Sequence, residues 1–123
     1  MKYMLLIYGN PGVWDAWSAD EFDAIMRAHA ELQKELKESG EYVESQGLTT
    51  IGAKTVRVGG EVPVVTDGPF TEAKEYLAGY YMVDCADVER ATEIAGRISE
   101  ARYCPVEVRR FIDEDRMSHG PDT

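Results

Sequence analysis

Tyr3-Met4-Leu5-Leu6-Ile7-Tyr8 is apolar on both of its alternating faces, with Tyr3, Leu5 and Ile7 on one and Met4, Leu6 and Tyr8 on the other. Successive side chains of a strand point to opposite sides, so a strand with this pattern is covered above and below. The run follows a single lysine and stops at Asn10-Pro11-Gly12, which is too short for a signal-peptide core. The two-faced pattern returns at Tyr76 to Val83, where Leu77, Tyr81 and Val83 oppose Tyr76, Tyr80 and Met82 around Gly79. A sheet containing both strands has to bury both of its faces.

Working outward, Val13 to Trp17 reads as a loop, and Ser18 then starts a helix as N-cap, with Glu21 at the third helical position completing a capping box. Trp17 and Phe22 sit where a hydrophobic staple belongs. Phe22, Ile25, Met26, Leu32 and Leu36 follow helical spacing to Ser39-Gly40, where glycine suits the left-handed end. His29 falls inside this stripe and is directed towards the sheet, either as a satisfied core histidine or as a catalytic one. A second helix starts at Asp84 or Asp87 and carries Val88, Ala91, Ile94, Ala95, Ile98 and Ala101.

The remaining strands are Glu41 to Thr50, partly exposed, and Val106 to Ile112, which is amphipathic. Thr55 to Val58 and Glu61 to Val64 flank Gly59-Gly60, a two-residue hairpin turn that matches Val56 and Val58 with Val62 and Val64. Pro63 cannot donate to a ladder and makes this an edge hairpin. The order is βαββαβ with an inserted edge hairpin, an α+β ferredoxin-like fold over residues 1–112, followed by a polar tail over 113–123 in which His119 is an uncommitted surface group. Two helices cover one sheet face only, so a second copy of the chain is expected on the other, giving a homodimer. The first strand lies between the third and fourth of this fold. Cys85 and Cys104 therefore fall roughly 9 to 10 Å apart, two strand spacings, and are expected to be buried thiols.

With 13 Lys+Arg against 23 Asp+Glu, the net charge of −10 opposes nucleic acid and anionic membrane surfaces, and no basic patch interrupts it. No segment approaches the roughly 20 apolar residues of a membrane helix. Two cysteines in a chain without a signal peptide point to a reducing cytoplasm. Phosphate loops, nucleophile elbows and metal-ligand spacings are missing, so no cofactor or metal is expected.

The hairpin leads into Thr66-Asp67-Gly68-Pro69-Phe70-Thr71-Glu72-Ala73-Lys74-Glu75. Pro69 fixes its own backbone and restricts Gly68, and it denies Asp67 the amide that an aspartate usually binds two residues on. Asp67 must then bond elsewhere or face solvent or ligand, and the turn reads either as a connection or as part of a site. Thr71 to Glu75 suits a single helical turn.

That segment, with the N-terminal strand, Met26-Arg27-Ala28-His29 and Leu77-Ala78-Gly79-Tyr80-Tyr81, resembles the YCII-related family and its DGPF branch. The resemblance spans residues 1–112 and implies a dimeric α+β barrel. It also implies an acid–base site in a cleft beside the sheet, built from a helix histidine, which His29 matches, and an aspartate. Five positions after His29, where shorter relatives can carry an acid, stands Lys34, leaving Asp67 as the candidate replacement. The expected activity is general acid–base chemistry on an unknown small molecule (elimination, isomerisation or hydrolysis), with His29 and Asp67 catalytic. Glu72 and Lys74 are then candidate polar contacts, and Tyr8, Phe70 and Tyr81 candidate aromatic walls. The alternatives are a non-catalytic ligand-binding or regulatory module, since DGPF-type domains occur beside transcription sigma factors, and an Asp67 turn that locks a dimer interface.

Overall fold

The computed structural model describes residues 1–70 and 75–112. In chain order the elements are β1 (Lys2–Gly9), α1 (Pro11–Asp15), α2 (Ala19–Ser39), β2 (Tyr42–Gly47), β3 (Lys54–Gly59), β4 (Val62–Asp67), β5 (Tyr76–Asp84), α3 (Val88–Arg97) and β6 (Val106–Arg110), with a 3-10 turn at Ser99–Arg102 before β6. The main sheet has the order β2-β5-β1-β6, and each neighbouring pair is antiparallel.

The alternation in β1 sorts its side chains as the pattern requires. Tyr3, Leu5 and Ile7 are buried with Tyr81 and Val83 of β5, Leu32 and Leu36 of α2, and Ala91, Ile94 and Ala95 of α3. Leu5 lies at the centre with no exposed surface, and truncation of such a side chain to alanine costs about 2–5 kcal/mol. On the opposite face Met4, Leu6, Tyr8, Tyr80 and Met82 are half-buried. The Tyr8 hydroxyl there donates to Glu107 at 3.1 Å, and the Tyr80 hydroxyl to Glu44 at 2.7 Å.

Helix α2 starts as its capping box dictates: the Ser18 hydroxyl accepts the Glu21 amide at 3.1 Å, and the Glu21 carboxylate accepts the Ser18 amide at 3.2 Å. It ends at Gly40, whose φ of 82° is the left-handed value that glycine adopts without strain. Asp87 caps α3, accepting the Arg90 amide at 2.9 Å. Gly79 sits where β5 meets β2 so closely that a Cβ would fall 2.8 Å from the Gln46 carbonyl oxygen.

Several expectations are corrected. The segment before α2 is not all loop, because the Asn10 side chain accepts the Val13 amide at 3.0 Å and starts the short helix α1. The hairpin turn is Gly60-Glu61, one residue later than expected. The register runs Gly59↔Val62, Val58↔Pro63 and Val56↔Val65, and Gly60, with φ of 70°, takes the first loop position. The hairpin is also not an edge of the main sheet; β3 and β4 form a two-stranded sheet of their own, and the edges are β2 and β6. Helix α3 stops at Arg97, since Ile98 turns to extended backbone (ψ 124°) before the 3-10 turn. Strand β6 ends two residues short of Ile112.

Cys85 and Cys104 are buried free thiols, and burial pushes both pKa values up. Among the described residues no helix is long and apolar enough to cross a membrane, and no group of His, Cys, Asp and Glu is arranged to hold a metal ion. The helical turn expected at Thr71 to Glu75 falls, but for Glu75, outside the described residues, as do the polar tail and His119.

Candidate active site

His29 points from the third turn of α2 towards the end of the sheet, and both ring nitrogens are engaged. Nδ1 lies 2.6 Å from the Tyr81 hydroxyl of β5, and Nε2 lies 2.6 and 2.7 Å from the two carboxylate oxygens of Glu100 in the 3-10 turn. The side chains of His29 and Glu100 are each only 14 % exposed. Gln33, one turn further along α2, donates its amide to the Tyr81 oxygen at 3.3 Å, and the Ser99 hydroxyl donates to Glu100 at 2.8 Å.

The bonding partners order the protons. An ionised carboxylate only accepts, so Nε2 carries hydrogen towards Glu100, and in the neutral imidazole Nδ1 accepts from the Tyr81 O–H. The chain of donors runs from Gln33 to Tyr81 to His29 to Glu100. Burial acts to raise the Glu100 carboxyl pKa, but the hydrogen bonds from His29 and Ser99 outweigh it, and the net shift is downward from the ordinary 4.5. The Tyr81 phenol moves the other way, pushed up to about 12, chiefly by burial, with the Gln33 bond opposing and the charge of Glu100 adding to the rise. One acid is thus held ionised and one neutral on either side of the imidazole.

These three groups line a cleft of about 510 Å³ between α1, α2 and the β2–β5 side of the sheet. Trp14, Trp17, Phe22 and Met26 line it from α1, α2 and the turn between them, and Ser45, Gln46, Gly47 and Gly79 from the strands. Phe22 and Met26 were expected on the core stripe, yet they are 50 % and 44 % exposed, because their part of α2 borders the cleft. Gly9 lets Trp14 lie against the end of β1: a Cβ there would fall 2.3 Å from the indole. The Trp17 indole N–H is shielded from solvent without a hydrogen-bond acceptor.

Of the residues singled out from sequence, the structure brings His29 and Tyr81 together and leaves three others elsewhere. Asp67 lies at the exposed end of β4 in an ion pair with Lys54, and it is not among the residues lining this cleft. Its turn is held to the hairpin, with the Gly68 amide donating to Ala53 at 2.7 Å and the Thr55 hydroxyl to the Gly68 carbonyl at 2.9 Å. Phe70 is 45 % exposed beneath the Arg57 guanidinium, 5.1 Å from its ring centre. Tyr8 belongs to the opposite sheet face. Glu72 and Lys74 lie outside the described residues.

The carboxylate on His29 is therefore Glu100, which the sequence reading missed. Had α3 continued to Ala101, Glu100 would sit about 200° around the axis from the core residue Ile98, on the outer face. The break at Ile98 re-aims it, and no local sequence signal announces that break.

A family model for the YCII-related domain matches residues 1–113, nearly the whole chain. The chain belongs to the YCII-related domain family. This YCII-related chain is also similar to an uncharacterized protein of Rhizobium meliloti (strain 1021), with 36 % identity over 102 residues, 82 % of each sequence.

Proposed function

We propose that this YCII-related protein is a member of the DGPF branch, on the strength of Asp67-Gly68-Pro69-Phe70, and an enzyme that moves a proton on a small molecule bound in the cleft. The observation that carries the reading is His29 held at both ring nitrogens, between an ionised Glu100 and a neutral Tyr81, on the wall of a cavity of ligand size. A substrate proton passes to the Tyr81 oxygen as the phenolic proton passes to His29 Nδ1. Glu100 stabilises the imidazolium, and the reverse transfer returns a proton to another atom of the substrate. Such a relay suits elimination, isomerisation or hydrolysis.

The test is a screen of small carbonyl, lactone and hydroxylated ring compounds for chemical change by mass spectrometry. For any compound consumed, Tyr81→Phe and Glu100→Gln are expected to slow turnover about 10²- to 10⁴-fold while far-ultraviolet circular dichroism stays unchanged. Full rates in both variants refute the relay. A compound that binds and is recovered intact supports the ligand-binding reading instead.

A second reading concerns assembly, and it gives the Asp67 turn the interface role. Val56, Val58, Val62, Val64 and Val65 of the hairpin are each more than half exposed, and a two-stranded hairpin is marginally stable alone. Together with the apolar open sheet face, this supports a homodimer in which the hairpin packs on a second copy. Sedimentation at tens of micromolar is expected to give a dimer that Val64→Asp dissociates; a monomeric wild type ends this reading.

A further inference from the structure

The lining of the cleft is chemically selective. Trp14 and Trp17 wall one side, and the side chains beside them are left open: Phe22 and Met26 are large and apolar with about half of their surface uncovered, while Ile25 and Leu32 on the same helix are buried. The position of Trp14 depends on Gly9, since any side chain there would displace the indole. Aromatic side chains lining a space of about 510 Å³ favour a planar aromatic ligand that packs against them.

Charge narrows the class. Glu100, held ionised by His29 and Ser99, puts a negative charge on the wall, within a chain whose net charge is −10. An anionic ligand is repelled. A cation is attracted by the same charge but gives up its hydration on entering, and both carboxylate oxygens already accept hydrogen bonds, from His29 and Ser99, so Glu100 offers few acceptor sites to replace that hydration. The other polar side chains of the lining besides His29, namely Gln33, Ser45, Gln46 and the tyrosines, are uncharged, and the Trp17 indole N–H is a donor without an acceptor.

We propose that the cleft takes an uncharged aromatic ring compound. The proposal rests on the cleft being the working site described above, but its test reads binding and not turnover. The chain has two tryptophans, and both line the cleft, so the two indole N–H resonances of nitrogen-15-labelled protein report occupancy directly. Three probes of one shape separate the charge classes at pH 8: benzyl alcohol, benzoate and benzylammonium. Benzyl alcohol is expected to shift both indole signals and to bind about tenfold more tightly than benzoate, with benzylammonium also weaker than the alcohol. Phe22→Ala, at a half-exposed site, is expected to weaken alcohol binding about fivefold with the far-ultraviolet circular dichroism unchanged.

Benzoate or benzylammonium binding as tightly as the alcohol overturns the proposal. So does an absence of indole shifts with all three probes at tens of millimolar. Selective binding of the alcohol combined with a barren turnover screen leaves this inference standing and removes the enzymatic one. Turnover of an anionic substrate, lost in Glu100→Gln, does the reverse.

Discussion

Replacing Tyr81 by phenylalanine keeps the buried ring and removes only the hydroxyl that links Gln33 to His29. At pH 8 the loss leaves Nδ1 of His29 without its donor and the Gln33 amide without its acceptor, at a cost of about 1.5 kcal/mol. The phenol adds a pH dependence of known sign. Its pKa is 10.0 in the unfolded chain and about 12 in the fold, so the neutral form is the one the fold prefers. That preference stabilises the wild type fully below pH 10 and is lost as pH rises towards 12. Linkage gives a loss of about 1.4 kcal/mol at pH 11 and about 2.3 kcal/mol at pH 12. The variant carries no such group. Urea unfolding of both proteins from pH 8 to pH 12 is therefore expected to show the wild type ahead at first, the curves crossing near pH 11, and Tyr81→Phe ahead beyond it. Curves that stay parallel over this range refute the buried, hydrogen-bonded state assigned to this phenol, and with it the neutral donor in the proposed relay.

Glu41 holds α3 to the end of α2 through a two-pronged pair with Arg90, at 2.9 and 2.8 Å. Glu41→Gln is expected to cost about 1–2 kcal/mol at pH 7. The hydrogen bonds from Arg90 hold the carboxyl below its ordinary 4.5 against the effect of burial, so this contribution is present above that pH and fades on acidification; urea midpoints of the two proteins should draw together as the pH falls below 4.5. Gly9→Ala forces Trp14 off the end of β1, with an overpacking cost of about 1–3 kcal/mol, and should move its indole resonance and the near-ultraviolet circular dichroism. Gly79→Ala drives a Cβ against the Gln46 carbonyl. Hydrogen exchange should show β2 amides losing protection while those between β1 and β6 keep theirs.

Much of the fold is legible because its causes are local. The two-faced pattern of β1 and β5 follows from the two-residue period of a strand, and the start and end of α2 follow from Ser18, Glu21 and Gly40 satisfying or permitting backbone geometry within a few residues. His29 could be placed on the inner side of α2 by spacing alone. The hairpin turn was misplaced by one residue because two adjacent glycines can each take a positive φ, and only the strand register selects Gly60.

The partner of His29 was not legible, because it is brought from 71 residues away by a break in α3. Asp67 was attractive as that partner for its turn chemistry, yet its hairpin pairs with itself and gives the carboxylate to Lys54. The sequence by itself determined the six strands, the starts of the two longer helices, the inner face of the sheet and the histidine, since periodicity and capping act within a few residues. Only the tertiary structure decided that Glu100 and Tyr81 flank that histidine and that tryptophans wall the space beside it, because those contacts depend on how distant elements pack.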